Sequence, residues 1–247
     1  VGAIEKVGDK YYMLYGTYPG MRTLVAERPQ GPFKVAAKNQ LFLTGHTYFA
    51  RFFQHPSGLL VCHHSIARDG QVSMGLLKGT SFDADGTMRL TWWPGNEALK
   101  HKPVKVPPLA AGGKGPIRML GRKLDVAAGL VLEGSLELAE PLGAPRGLYV
   151  EHGRNSGTAI LVNFDGRAEL GPVNSDGSGF KVEKAVNREM SFGSQAGFRL
   201  LLKGVLLEFY LDDLLIECYS LPAPSTGRIG LIPGSKSGSI SALKAWK

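Results

Sequence analysis

The stretch TGHTYFARFFQHPSGLLVCHHS, Thr44 to Ser65, decides how the rest of the chain is read. Its first half, Thr47 to Phe53, is dense in aromatic and β-branched residues, which fit a pleated surface. Leu59 to His64 is a second run of the same kind. Between them, His55-Pro56-Ser57-Gly58 predicts a tight turn, because proline presets φ and glycine accepts a positive φ without steric cost. Three of the six histidines stand at the ends of this hairpin: His46 before the first strand, His63 and His64 closing the second. Any one alone reads as an ordinary core or surface histidine. Together, at strand ends, they outline a wall of a polar site. Arg51 interrupts the apolar TYFARFF strand. A guanidinium there needs a partner or a cavity, unless it snorkels from a sheet edge.

Working outward, Ala3 to Val7, Tyr11 to Tyr15 and Thr23 to Ala26 read as strands, with Gly8-Asp9-Lys10 as a turn and Arg28 to Phe33 closing the unit. After the hairpin come Val72 to Leu77 and, past the turn Asp85-Gly86-Thr87, Met88 to Trp93. Each unit thus holds about four short strands, in a repeat of roughly 45 residues. Neighbouring strand residues point to opposite faces, so only one of Trp92 and Trp93 can offer its ring to a site. Trp92 is taken as that ring and Trp93 as core. Asp69 reads as a plain turn aspartate, and Glu97 as a rim residue after Pro94-Gly95-Asn96.

The spacing of Gly45-His46, Pro56-x-Gly58 and the strand ending Cys62-His63 resembles one blade of the five-bladed β-propeller glycosidases, the clan of arabinanases, xylosidases and invertases. In that clan the final pair is Tyr-His; here cysteine replaces the aromatic. The run from Tyr11-Tyr12-Met13-Leu14-Tyr15-Gly16 to Gly31-Pro32-Phe33 resembles a second such blade, with Gly-Pro-Phe marking its outer strand. The resemblance implies that His46 faces an axial channel, as ligand to a cation such as calcium or to its waters. It implies no required cofactor.

Glycoside hydrolysis uses two carboxyl groups flanking the scissile bond. In the clan the acid is a glutamate ahead of the Tyr-Tyr strand, which here falls at Val1-Gly2-Ala3, and position 1 is valine. Glu5 lies four residues on, on the same strand and face. It is the catalytic candidate, against the plainer reading of an exposed strand glutamate. Arg51, His63 and Trp92 are the substrate-binding candidates.

Residues 101–118, HKPVKVPPLAAGGKGPIR, contain four prolines and three glycines. They read as a linker, open to protease between His101 and Gly115. Beyond it, Leu130 to Leu138, Gly147 to Glu151, Thr158 to Phe164 and Lys181 to Val186 alternate, with turn signals at Asp165-Gly166 and Asn174 to Gly179. Evenly spaced short strands without helical periodicity predict a β-sandwich. The closing strands, from Phe198 to Trp246, resemble the concanavalin-like jelly-roll appended to invertase-type propellers. The expected fold is therefore all-β. Residues 1–100 form about two blades of a propeller, 101–118 the linker and 119–247 the sandwich.

The chain is 247 residues long, with 43% hydrophobic residues and a net charge of +8. Thirty-three glycines and fifteen prolines spread through it suit a β-protein with many turns. No apolar run approaches the ~20 residues of a membrane helix, so no membrane partner is expected. Nucleic acid is the first partner a basic chain suggests. The basic residues are scattered, however, at Lys34, Lys38, Arg51, Arg68, Lys78 and Arg89. The densest run, Lys100 to Lys105, lies in the linker, and no helix-turn-helix, zinc finger or aromatic RNA-binding strand occurs. A solvated basic surface is the reading, with no nucleic-acid partner. Cys62 and Cys218 form neither a disulfide framework nor a metal motif, are expected in different domains, and leave the compartment open, secreted and periplasmic included.

The function implied is a glycoside hydrolase, the chain being its C-terminal portion. The alternative is a non-catalytic carbohydrate-binding propeller and lectin-like pair, which glycan binding without hydrolysis would reveal. A basic protein using the sandwich for protein contacts is a third reading. Two blades cannot close a propeller and would leave apolar faces open at Tyr11, Tyr15, Phe49 and Phe53. About three further blades are expected upstream, on the same gene product or a companion chain, and with them the catalytic base.

Overall fold

The computed structural model describes residues 2–17, 20–36, 38, 47–110, 115–138, 146–234 and 240–247. Among them there is no α-helix; one short 3-10 helix covers Pro94–Leu99, and no helix is long and apolar enough to cross a membrane. The chain is all-β. It divides into unit 1, Val1–Glu97 with Glu217–Ser220, and unit 2, Ala98–Ile216 with Leu221–Lys247.

Unit 1 contains two blade-like sheets. The first is β1 (Gly2–Val7), β2 (Lys10–Thr17), β3 (Gly20–Ala26) and β4 (Lys34–Val35), joined in chain order as an antiparallel meander. Residues that alternate along β2 and β3 make its buried face: Tyr12, Leu14, Met21 and Thr23 are all nearly inaccessible. The second sheet holds β5 (Thr47–His55), β6 (Gly58–Ile66), β7 (Val72–Met74), β8 (Lys78–Phe82) and β9 (Met88–Trp92). β5 and β6 pair as the expected hairpin, and Gly58 takes φ +119° where the turn enters β6. β7 and β8 both pair along the same edge of β6; the strand expected over Val72 to Leu77 ends at Met74, and pairing resumes only with β8 at Lys78. At the break, the Gly75 amide donates to the His63 carbonyl.

Two residues expected on a solvated basic surface are core residues. Arg89 is 2% exposed, and its Nε and Nη2 both donate to Asp83 Oδ2 at 3.1 and 2.7 Å. Lys78 is fully buried and donates to the Leu76 carbonyl at 3.0 Å. Each charge is tolerated inside because it is hydrogen-bonded there. Cys62 and Cys218, expected in different domains, both fall in unit 1 as buried thiols.

Unit 2 is the sandwich. Its strands are β10 (Pro103–Val104), β11 (Arg118–Met119), β12 (Leu130–Glu137), β13 (Arg146–Gly153), β14 (Ser156–Val162), β15 (Arg167–Asn174), β16 (Lys184–Asn187), β17 (Gln195–Lys203), β18 (Leu206–Leu211), β20 (Ile229–Ile232) and β21 (Ile240–Trp246). β19 (Leu214–Ser220) begins in unit 2 and ends in unit 1. One sheet runs β10-β21-β12-β17-β18, the other β11-β20-β13-β14-β15-β16. Leu132, Leu200 and Phe209 lie in register across β12, β17 and β18 with no exposure; Leu148, Ile160 and Leu170 do the same across β13, β14 and β15. Burying each of these side chains stabilises the fold by roughly 1.5–3 kcal/mol before chain entropy is counted. Asp212 and Asp213 both take positive φ, 43° and 65°, as a two-residue hairpin turn requires.

The proline-rich stretch expected as a linker lies in unit 2 and contributes two short strands. Pro103 pairs with Trp246 in β10–β21, and Arg118 with Leu231 in β11–β20. Lys100 is ion-paired to Glu133 at 2.6 Å, and its ammonium sits 4.8 Å from the Trp246 ring centroid. Lys247 is ion-paired to Asp125.

Candidate functional site

Propeller blades present their sheet edges to a common axis. In unit 1, β1 and β4 end the first sheet and β5 ends the second, and β5 packs across β1, β2 and β3. Glu5 is on β1 and Arg51 on β5, so the catalytic candidate and one binding candidate lie on strands that pack together. Glu5 is half-buried and stands in register with Tyr12 of β2. Tyr12 is 3% exposed, donates its hydroxyl to the Gly86 carbonyl at 3.0 Å and lies 4.9 Å from the Phe82 ring. Burial raises its phenol pKa, with the charges of Asp85 and Glu27 adding to the rise.

Arg51 is aimed by a β-bulge. Tyr48 pairs with His64 and Arg51 with Cys62, so Phe49 and Ala50 together oppose the single residue His63. An extra residue reverses the in–out alternation beyond it. Tyr48 and Phe49 are consequently both exposed, at 36% and 38%, while Ala50 is fully buried. Phe49 sits at φ +49°, a conformation a bulky residue adopts only under constraint from its surroundings. Its ring lies 4.2 Å from Tyr48, 5.5 Å from His64 and 5.9 Å from the Arg51 guanidinium carbon. Arg51 Nη1 donates to the Ala50 carbonyl at 2.9 Å. The bulge therefore clusters two accessible aromatic rings, an imidazole and a guanidinium, setting flat apolar surface beside polar tips.

The other candidates are placed elsewhere. His63 is fully buried, its ring under Gly75 and its Nδ1 3.1 Å from the His64 carbonyl. By strand register it shares a face with Trp92, opposite to Arg51. Trp92 is 6% exposed, and its indole N–H donates to Glu97 at 2.7 Å. Of the tryptophan pair it is Trp93 that remains accessible, with Nε1 donating to Ser57 at 3.1 Å and its ring 5.2 Å from His55. His46, the cation candidate, lies outside the described residues.

Sequence reading gave His64 only as part of the polar wall, Phe49 only as an open apolar face and Trp93 as core, and put none of them among the substrate-binding candidates. For Phe49 a signal exists: Tyr48-Phe49-Ala50-Arg51-Phe52-Phe53 cannot alternate cleanly between apolar and polar, and bulges occur where alternation fails. For Trp93 no local signal separates it from Trp92; register decides.

No protein-family model matches the chain, and no curated protein matches it in sequence. Solved structures do. A sucrose-6-phosphate hydrolase from Lactobacillus gasseri superposes with a TM-score of 0.66 at 11% identity, over 100% of this chain and 54% of its own. A fructosyltransferase from A. japonicus gives 0.63 at 9%, over 100% and 56%, and an exo-inulinase from Aspergillus awamori 0.61 at 10%, over 99% and 55%. The chain has the fold of the propeller glycosidases that carry a β-sandwich. It spans about half the length of these structures, and at such identities the likeness is one of fold.

Proposed function

We propose that the chain serves a glycoside hydrolase, with the edge formed by β1 and β5 as its part of the sugar site. One observation supports this above the others: Glu5 and Arg51 stand on strands that pack together, in a fold shared with enzymes that process glycosides. In this reading Glu5 donates a proton to the leaving glycosidic oxygen. Arg51 holds a substrate hydroxyl or the partner carboxylate through its fixed fork of N–H donors. Phe49 and Tyr48 stack on the sugar face, and His46 holds a cation or its waters beside the channel. Hydrolysis needs a second carboxyl group, and further blades, on the same gene product or a companion chain, are proposed to supply it. By their names the solved relatives act on sucrose-6-phosphate, fructosyl groups and inulin, so sucrose, its 6-phosphate and inulin are the substrates to try first.

The test is sugar release from these substrates by the whole gene product, compared with its Glu5→Gln variant. Loss of a general acid costs about 10²–10⁴-fold in turnover. A Glu5→Gln enzyme with undiminished turnover removes Glu5 from the chemistry. Sugar binding without release, in the parent protein, replaces hydrolysis with recognition.

A further inference from the structure

The guanidinium of Arg51 is half-buried on β5. Its Nη1 donates to the Ala50 carbonyl, and a fork of five N–H donors has far more capacity than one carbonyl takes up. Unit 1 contains eight acidic residues. Five are engaged elsewhere: Asp83 accepts from Arg89, Asp85 from Thr87 and Lys38, Asp69 from the Gln71 amide, Glu97 from Trp92 and Glu217 from the Cys218 amide. The other three are Glu5, Asp9 and Glu27. Among the described residues none of the eight forms an ion pair with Arg51. Arg89, on the same sheet, shows the contrast, because Asp83 matches its charge.

The setting of Arg51 is open to a solute. Tyr48 and Phe49 beside it are both exposed. Tyr48 pairs with His64 and Arg51 with Cys62, two positions apart on β6, so the His64 ring shares the face of Arg51. The Phe49 ring has the guanidinium carbon at 5.9 Å and the His64 ring at 5.5 Å. A partly desolvated, unmatched cation costs free energy until an anion meets it. A sugar hydroxyl takes up one N–H at a time and brings no charge. A carboxylate, sulfate or phosphate accepts two parallel bonds from the fork and neutralises it.

We propose that the sugar bound at this cluster carries an anionic group, a carboxylate, sulfate or phosphate, which Arg51 holds through two N–H bonds with His64 as a further donor. The exposed rings of Phe49 and Tyr48 take the face of the same sugar. The inference rests on the reading of this part of unit 1 as a sugar site and names the class of sugar it admits.

The test titrates the whole gene product by calorimetry with three sugars that share one ring and differ at its sixth carbon: glucose, glucuronate and glucose 6-phosphate. The anionic sugars are expected to bind about tenfold more tightly than glucose, the worth of a charge-assisted bond, and the tighter of the two identifies the anion. The preference should shrink as salt is added. Arg51→Gln should erase it. Arg51→Lys should keep part of it, since the charge stays and the fork is lost. Inorganic phosphate should bind more weakly than glucose 6-phosphate, because it lacks a ring to stack. A parent protein that shows no preference, as when a carboxylate of the further blades already neutralises Arg51, overturns the proposal. So does an Arg51→Gln variant that folds with the parent's melting temperature and keeps the preference, or inorganic phosphate binding as tightly as the sugar phosphate. Hydrolysis of sucrose or inulin with equal affinity for all three sugars would leave the glycosidase reading in place while removing this one; anion preference without hydrolysis would do the reverse.

Discussion

Phe49 concentrates the local argument in one residue. A phenylalanine at φ +49° costs of order 1–3 kcal/mol in backbone strain, and the rest of the hairpin holds it there. Asparagine tolerates that conformation far better. Phe49→Asn is therefore expected to melt no lower than the parent while its affinity for sugar falls several-fold; a joint fall in both would make the ring a packing element instead. Asp85 offers a second residue-scale measurement. Its carboxylate accepts the Thr87 amide at 2.9 Å and pairs with Lys38 at 3.3 Å. The Thr87 amide hydrogen bond first, and then Lys38, lower its pKa from 3.8 to about 2. A carboxyl whose folded pKa lies below its unfolded one binds fewer protons when folded. Its stabilisation is complete above about pH 4 and is lost as pH falls through about 2. Carbon-detected NMR titration should find Asp85 ionised at pH 3, where ordinary aspartates are mostly protonated.

At the scale of the element, the β5–β6 hairpin and the broken strand beside it depend on one small residue. A Cβ on Gly75 would lie 2.6 Å from His63 Cε1, and His63 has no exposed side to retreat to. Gly75→Ala is expected to destabilise the chain by about 1–3 kcal/mol through overpacking, measured as a lower urea midpoint. A midpoint equal to that of the parent would mean the break between β7 and β8 is slack. The β8–β9 hairpin is tied differently, through Arg89 and Asp83. Removing the guanidinium by Arg89→Ala leaves a largely buried carboxylate facing a hole, and a loss of about 3 kcal/mol is expected.

At the scale of the molecule, the units are interleaved along the chain, because unit 1 takes Glu217–Ser220 from the far end of the sequence. Arg68 donates to the Tyr219 hydroxyl at 3.0 Å, and Ser65 Oγ lies 3.8 Å from Cys218 Sγ. Residues 1–97 expressed alone lack these partners. Their thermal transition by circular dichroism should be broader and lower than the corresponding one in the full chain. A fragment that melts as sharply would make β19 dispensable to the blades.

What could be read in advance, and what could not, follows from the range of the forces involved. The all-β class, the hairpin at Pro56 to Gly58, the Tyr11 to Tyr15 strand and the turn at Asp212-Asp213 rest on φ preferences and period-two alternation, which act over a few residues and are written in the sequence. So is the layout of Glu5 ahead of Tyr11-Tyr12. The burial of Lys78 and Arg89, the exposure of Trp93 in place of Trp92, and the enclosure of His63 under Gly75 depend on which strand lies alongside, and no local pattern contains that. The bulge at Phe49 and Ala50 is the intermediate case: the sequence shows alternation failing there, but only pairing with β6 decides which residue is extra and where Arg51 then points. The apolar groove of unit 2 belongs wholly to tertiary structure, since its walls come from β14, β15 and β20 and the segments around Ile117 and Phe180. Local propensity determines elements, whereas packing between distant segments determines which side chains are left facing a ligand.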